Sequence, residues 1–239
     1  MGKRRISLIS HPSWKKRSEE EDVKWLEMPD FPSLMKKEGK LMSRRIMKPG
    51  CMMAPLPAVL VSCIDKEGNT NLITAAWTGI LCSEPPMTYV SIRKERFSHH
   101  MIEETGEFVI NLTTKEMARG TDLCGVRSGR EVNKWELAGF TSEAAATVKA
   151  PIVAESPVSI ECRVVEKKEL GSHDMFMAEI TAVNCDEKYF DEHGRFDLNA
   201  PGLISYTHGS YVESGKVIGT FGFSVKKRTG KKKTNKKKA

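Results

Sequence analysis

The sequence holds no apolar run near the ~18 residues that cross a bilayer, and its first 25 residues hold no continuous apolar stretch ahead of a cleavage site. The opening MGKRRIS has Ile6 where a myristoylation signal needs Ser or Thr. The expected location is therefore the cytoplasm, with no membrane partner. Six cysteines, Cys51, Cys63, Cys82, Cys124, Cys162 and Cys185, stand singly, without a C-x-x-C pair or a His at zinc spacing. That argues against a disulfide framework and a structural metal. HExxH, the Walker loop and GxGxxG are also missing, so metalloprotease, P-loop and Rossmann readings have no anchor. Acidic residues are absent from residues 226–239, KKRTGKKKTNKKKA, which carry nine Lys or Arg. Without those nine the balance is 29 basic against 31 acidic residues, a net of −2, so the overall charge of +7 belongs to the tail. Contact with nucleic acid is expected only there, and only non-specifically.

What is present is enough for one sizeable domain of 239 residues and 39% hydrophobic content. Residues 1–41 read as a partly disordered N-terminal extension in which Ser18 and Glu21 form a capping box for a short helix before Pro29. The domain is expected over 42–225 and a disordered basic tail over 226–239. AVLVSCI (58–64), the turn DKEGN and TNLITAAW (70–77) read as a hairpin. MTYVSI (87–92), EFVIN (107–111), VSIECRVVE (158–166) and MFMAEITAVNC (175–185) add four strands. Ser98 is placed to cap a helix HHMIEET that ends at Gly106, and Thr114 to cap KEMARGTDL. This is a mainly β chain with short helices, patterned as an antiparallel barrel.

One strand is odd. In NLITAAWTGILCSEPP (71–86), Thr74, Ala75, Ala76, Thr78 and Gly79 stand where a buried strand would carry larger side chains. A strip of small residues lets a flat ring approach the backbone. Two strands further on, Arg93, Lys94 and Arg96 precede Ser98 at a predicted helix start, a combination suited to phosphate. Together they suggest a mononucleotide site.

These stretches, with CGVRSGREVNKWELAGF, SIECRV and LGSHDMFMAEI in the same order, resemble the flavin reductase-like, FMN-binding split-barrel family, flavoredoxin branch, over residues 48–224. The resemblance implies a homodimer of six-stranded antiparallel Greek-key barrels holding FMN near the subunit interface. It also implies that Ala75, Trp77 and Thr78 face the isoalloxazine, with Cys82 and Ser83 beside the ring or ribityl chain. Arg93, Lys94, Phe97 and Ser98 match the phosphate-side turn, Lys134 would donate to a flavin carbonyl or phosphate, and His173 would face the substrate. No catalytic residue and no metal is implied. Each residue has a plainer alternative: Trp77 a core aromatic, Cys82 a small buried hydrophobe, Arg93 and Lys94 solvated charges, Lys134 a surface partner of Glu131 or Glu136, His173 a structural histidine. Where the family pattern has Gly before the Glu of the MFMAE stretch, this chain has Ala178. The implied activity is reduction of a flavin or another acceptor by NADH or NADPH through bound FMN. The alternative is an electron carrier serving a redox protein.

Overall fold

The computed structural model describes residues 47–225, which leaves the N-terminal extension with its capping-box helix and the basic tail outside the described residues. The chain divides into two units, Met1–Cys51 and Met52–Ala239, and the second carries the barrel. Its main sheet runs from β2 (Val59–Ile64), β3 (Thr70–Ala75), β4 (Thr78–Ser83) and β5 (Pro86–Arg93) through β6 (Glu107–Leu112) to β9 (Val158–Glu169) and β10 (His173–Cys185). The order is β3-β2-β6-β9-β10-β5-β4, every neighbour antiparallel. The non-sequential pairs β2/β6 and β5/β10 give it a Greek-key course.

The sheet has seven strands, one more than expected. TNLITAAW stops being a strand at Ala75, and TGILCS starts a new one that folds back on β5. A bulge between Ile80 and Cys82 interrupts that hairpin. Ala178, the departure from the family pattern, is fully buried where the β9–β10 register shifts between Met177 and Ala178.

The barrel interior follows from strand alternation. Val59, Val61 and Cys63 of β2 point inward to meet Ile73, Val90, Ile92, Phe108, Ile110, Phe176 and Ala178. The intervening Leu60 packs outward with Leu72 of β3 against Met117, Cys124 and Trp135, so β2 is buried on both faces and its sequence, VLVSCI, is apolar apart from buried Ser62. That outer layer belongs to α2 (Ala118–Val126) and α3 (Lys134–Ala138); α1 (Phe97–Thr105) contributes Met101 and Ile102 to the barrel interior. Elsewhere β7 (Ser142–Glu143) pairs with β8 (Ile152–Val153), and β1 (Leu56–Pro57) pairs with β11 (Ile204–Thr207), which turns back into β12 (Ser210–Glu213).

Two predicted caps are corrected. Ser98 lies inside α1, whose N-cap is Arg96, although the helix does end on a left-handed Gly106. Thr114 forms an isolated bridge with Leu203, and α2 begins after Met117 without a side-chain cap. Among the described α-helices the side-chain cap is at α3, where the Asn133 side chain accepts the Trp135 N–H.

Candidate functional site

The two ends of the sheet approach where β3 leaves the barrel and β5 finishes. A cleft of about 350 Å³ opens there, lined by Ile73 to Trp77, Ser91 to Arg93, Arg96, His173 and Tyr206. A second cavity of about 290 Å³ shares the walls Thr74, Ala75, Ala76 and Tyr206 with it and adds Ala58, Asp122, Gly125, Gly209 and Tyr211. Volumes of this size suit a small-molecule ligand.

The missing side chains of the odd strand are only partly replaced by ligand space. The Thr74 hydroxyl donates to the Thr121 carbonyl, and a Cβ on Gly125 would come within 3.3 Å of Thr74, so α2 packs tightly there. Gly79 makes room for the Tyr89 ring, and the Thr78 hydroxyl donates to the Tyr89 carbonyl. The floor is Ala75, which is 8% exposed and also packs in the barrel core, and, next to it, half-buried Ala76. At the next residue the chain crosses to the other sheet end, where the Ser91 N–H donates to the Trp77 carbonyl at 2.9 Å.

The cationic end comes from a tight turn. The Arg96 N–H donates to the Arg93 carbonyl at 3.1 Å, which brings two arginines to one rim of the cleft. Arg96 also donates to the Gly125 carbonyl at 3.3 Å, and Arg93 lies 3.4 Å from Glu95. Because α1 starts one residue beyond Arg96, its N-terminus sits at this rim. Beside this rim stands Trp77, 37% exposed, whose ring centroid lies 4.2 Å from that of His173, the cross-strand partner of Arg93. Burial, then the neighbouring Arg93, pushes the His173 pKa below the usual imidazole range, which favours the neutral ring.

Of the residues named from sequence, Ala75, Trp77, Arg93 and His173 share this cleft. Trp77 is therefore no core aromatic. Cys82 and Ser83 are exposed at the far end of β4, about 16 Å of strand from Trp77, and the Cys82 thiol donates to the Glu84 carbonyl. They do not line the cleft, nor is Cys82 buried. Lys94 turns away to Glu169 at 3.0 Å and Asp174 at 3.4 Å. Phe97 packs under the Arg130 guanidinium, and buried Ser98 accepts from Asn71 at 2.8 Å. Lys134 is 5% exposed and donates to the Leu72 and Cys124 carbonyls, both at 2.8 Å. It pairs with neither Glu131 nor Glu136, and burial lowers its pKa. It locks α3 onto β3 and α2, off the cleft.

Thr74 and Ala76 of the small-residue strip and Arg96 of the cationic turn also line it, and Ser91 and Tyr206 join without having been named from sequence. Arg96 was legible in RKERF as a second cation beside Arg93. Tyr206 gives no local signal, because β11 reaches the cleft from more than a hundred residues away.

An antiparallel barrel left open between β3 and β5, with an alanine floor and two arginines at the opening, defines the split-barrel class. The description "flavin reductase like domain" matches residues 52–213, and the chain belongs to the flavin reductase-like family. The flavoredoxin of Desulfovibrio vulgaris (Miyazaki F) superimposes with a TM-score of 0.71 at 29% identity, covering 77% of this chain and 100% of that one. An FMN-binding protein from Thermus thermophilus gives 0.61 at 28% identity, covering 72% and 95%. The FMN reductase (NADH) RutF of Ancylobacter novellus is 26% identical over 127 residues, 53% of this chain and 67% of the relative.

Proposed function

We propose that the cleft binds FMN and that the protein is an NAD(P)H-dependent oxidoreductase of the flavin reductase type, acting as a homodimer. The observation that carries this reading is the Ala75–Ala76 floor ending at two arginines joined by one turn. The donor set fits: guanidinium groups match a phosphate dianion, and side chains of one carbon leave a flat ring in contact with backbone. Arg93 and Arg96 hold the phosphate, Ala75 and Ala76 lie against the ring, and Trp77 with neutral His173 walls off water on the nicotinamide side. FMN when bound supplies the hydride and single-electron chemistry. The protein contributes orientation and exclusion of solvent. The similarity to proteins named for FMN binding and FMN reduction supports the reading. Exposed Ile80 and Leu81 on the outermost strand support the homodimer, and six free cysteines suit a reducing cytoplasm.

Likeness to a flavoredoxin favours a second reading, a carrier that takes electrons from a redox protein and does not oxidise NAD(P)H. One experiment orders the two. The purified protein should be yellow, with about one FMN per chain. Anaerobic NADH or NADPH should bleach it, whereas a carrier would respond only to dithionite. A colourless protein that cannot be reconstituted with FMN defeats both.

A further inference from the structure

After β12 the chain leaves the barrel as an arm, residues 214–225, rooted where the Ser214 N–H donates to the Leu203 carbonyl at 3.0 Å. Its side chains are out of keeping with its surroundings. Val217, Ile218, Phe221, Phe223 and Val225 are all exposed, Ile218 and Phe221 completely. Single exposed apolar residues need no explanation, but five within nine positions mark a contact surface. The arm is also shaped. It has no regular secondary structure from Gly215 to Gly219, then hooks over, with the Phe223 N–H donating to the Thr220 carbonyl at 2.9 Å. The Phe223 ring packs where a Cβ on Gly219 would stand, which leaves Phe221 projecting.

A second unmatched feature lies at the sheet's end. β4 is the last strand in the order, so its outer edge has no neighbour within the sheet, and Ile80 (71% exposed) and Leu81 (43%) stand open beside it. An exposed apolar arm and an open apolar edge are complementary halves of one contact. We infer that the arm of one copy lies along β4 of a second copy, with Ile218 and Phe221 against Ile80 and Leu81. This rests on the homodimer proposed above and names the segment that each copy exchanges.

Charge and form favour this occupant over a lipid surface. The arm is broken by Gly215, Gly219 and Gly222 and forms no amphipathic helix, the usual means of lying in a bilayer interface. The nine cations that come after it in sequence are set against a remaining chain of net −2. Because β4 begins at Thr78, one residue after Trp77, the exchanged arm runs beside the wall of the cleft.

Cys82 on β4 makes the contact testable in the full chain, since it is exposed and free. In a Cys51→Ser, Cys185→Ser background, Phe221→Cys treated with a short bis-maleimide should yield a covalent dimer that disappears when Cys82→Ser is added. Light scattering on the untreated protein reads the oligomeric state independently. A dimer by scattering without Cys82-dependent cross-linking overturns the arm exchange and leaves the homodimer standing; a monomer overturns both. A cross-link confined within single chains places the arm in cis and also overturns it. So does a protein whose arm binds phosphatidylglycerol vesicles and gives no cross-linked dimer.

Discussion

Arg93 and Arg96 differ from the other cations near the cleft in what they already hold. Lys94 is occupied by Glu169 and Asp174, and Lys134 by two buried carbonyls. Arg93 has only a 3.4 Å contact with the exposed Glu95, a weak competitor for a dianion. Replacing Arg93 with Ala should weaken FMN retention by about 1.5–3 kcal/mol, the usual worth of a hydrogen bond to a charged group, with the fold intact. Titration of the apoprotein with FMN measures it; unchanged affinity would leave Arg93 a bystander. Lys134→Met tests the opposite assignment. Removing the ammonium strips donors from two buried carbonyls, so stability in urea should fall by about 1–3 kcal/mol while FMN affinity stays within about twofold. A large loss of FMN affinity without a loss of stability would return Lys134 to the binding site.

The elements that frame the cleft are held by buried polar contacts. Asp174 on β10, 1% exposed, receives His99 of α1 at 2.9 Å, with Lys94 at 3.4 Å from its other oxygen. This carboxylate ties α1 and the arginine turn to the strand that presents His173. Asp174→Ala removes one side of a buried pair and should destabilise the fold by about 3–5 kcal/mol in urea unfolding. A loss well under that range would show that the helix is held by apolar packing alone. At this scale much was legible in sequence. The β2–β3 hairpin, the Gly106 stop and the β9 and β10 runs follow from alternation and turn chemistry. The new strand at Thr78 did not show, because TGILCS lacks alternation and owes its pairing to β5. Nor did the cap at Asn133, since NKWELAGF drew a binding reading for Lys134 in place of a helix start.

For the whole molecule, the distribution of charge separates the barrel from the C-terminal tail. Nine cations and no acid in residues 226–239 bring almost no apolar surface, and polycations bind polyanions by releasing counterions. Deleting those residues should abolish salt-sensitive retention on heparin, because the remainder carries a net −2, and should leave FMN affinity unchanged. Loss of the flavin on truncation would place the tail in the cofactor site or the dimer contact.

The strand pattern, the small-residue strip at Thr74–Ala76, the arginine turn and the segregation of charge are all written in the residues themselves. Each is written in the order of neighbouring residues, through the two-residue period of a strand, the conformational demands of turns and the sign of adjacent charges. Which candidates meet is a matter of how the chain folds. Ala75, Trp77, Arg93 and His173 converge because β3 and β5 end at the same opening, whereas Cys82 and Ser83 are carried away along β4. Lys134 went inward because the α3 N-terminus lands on the carbonyls of Leu72 and Cys124, and Tyr206 arrived from a distant hairpin. Cleft membership depends on how the two ends of the sheet close on each other, and local periodicity carries no record of that.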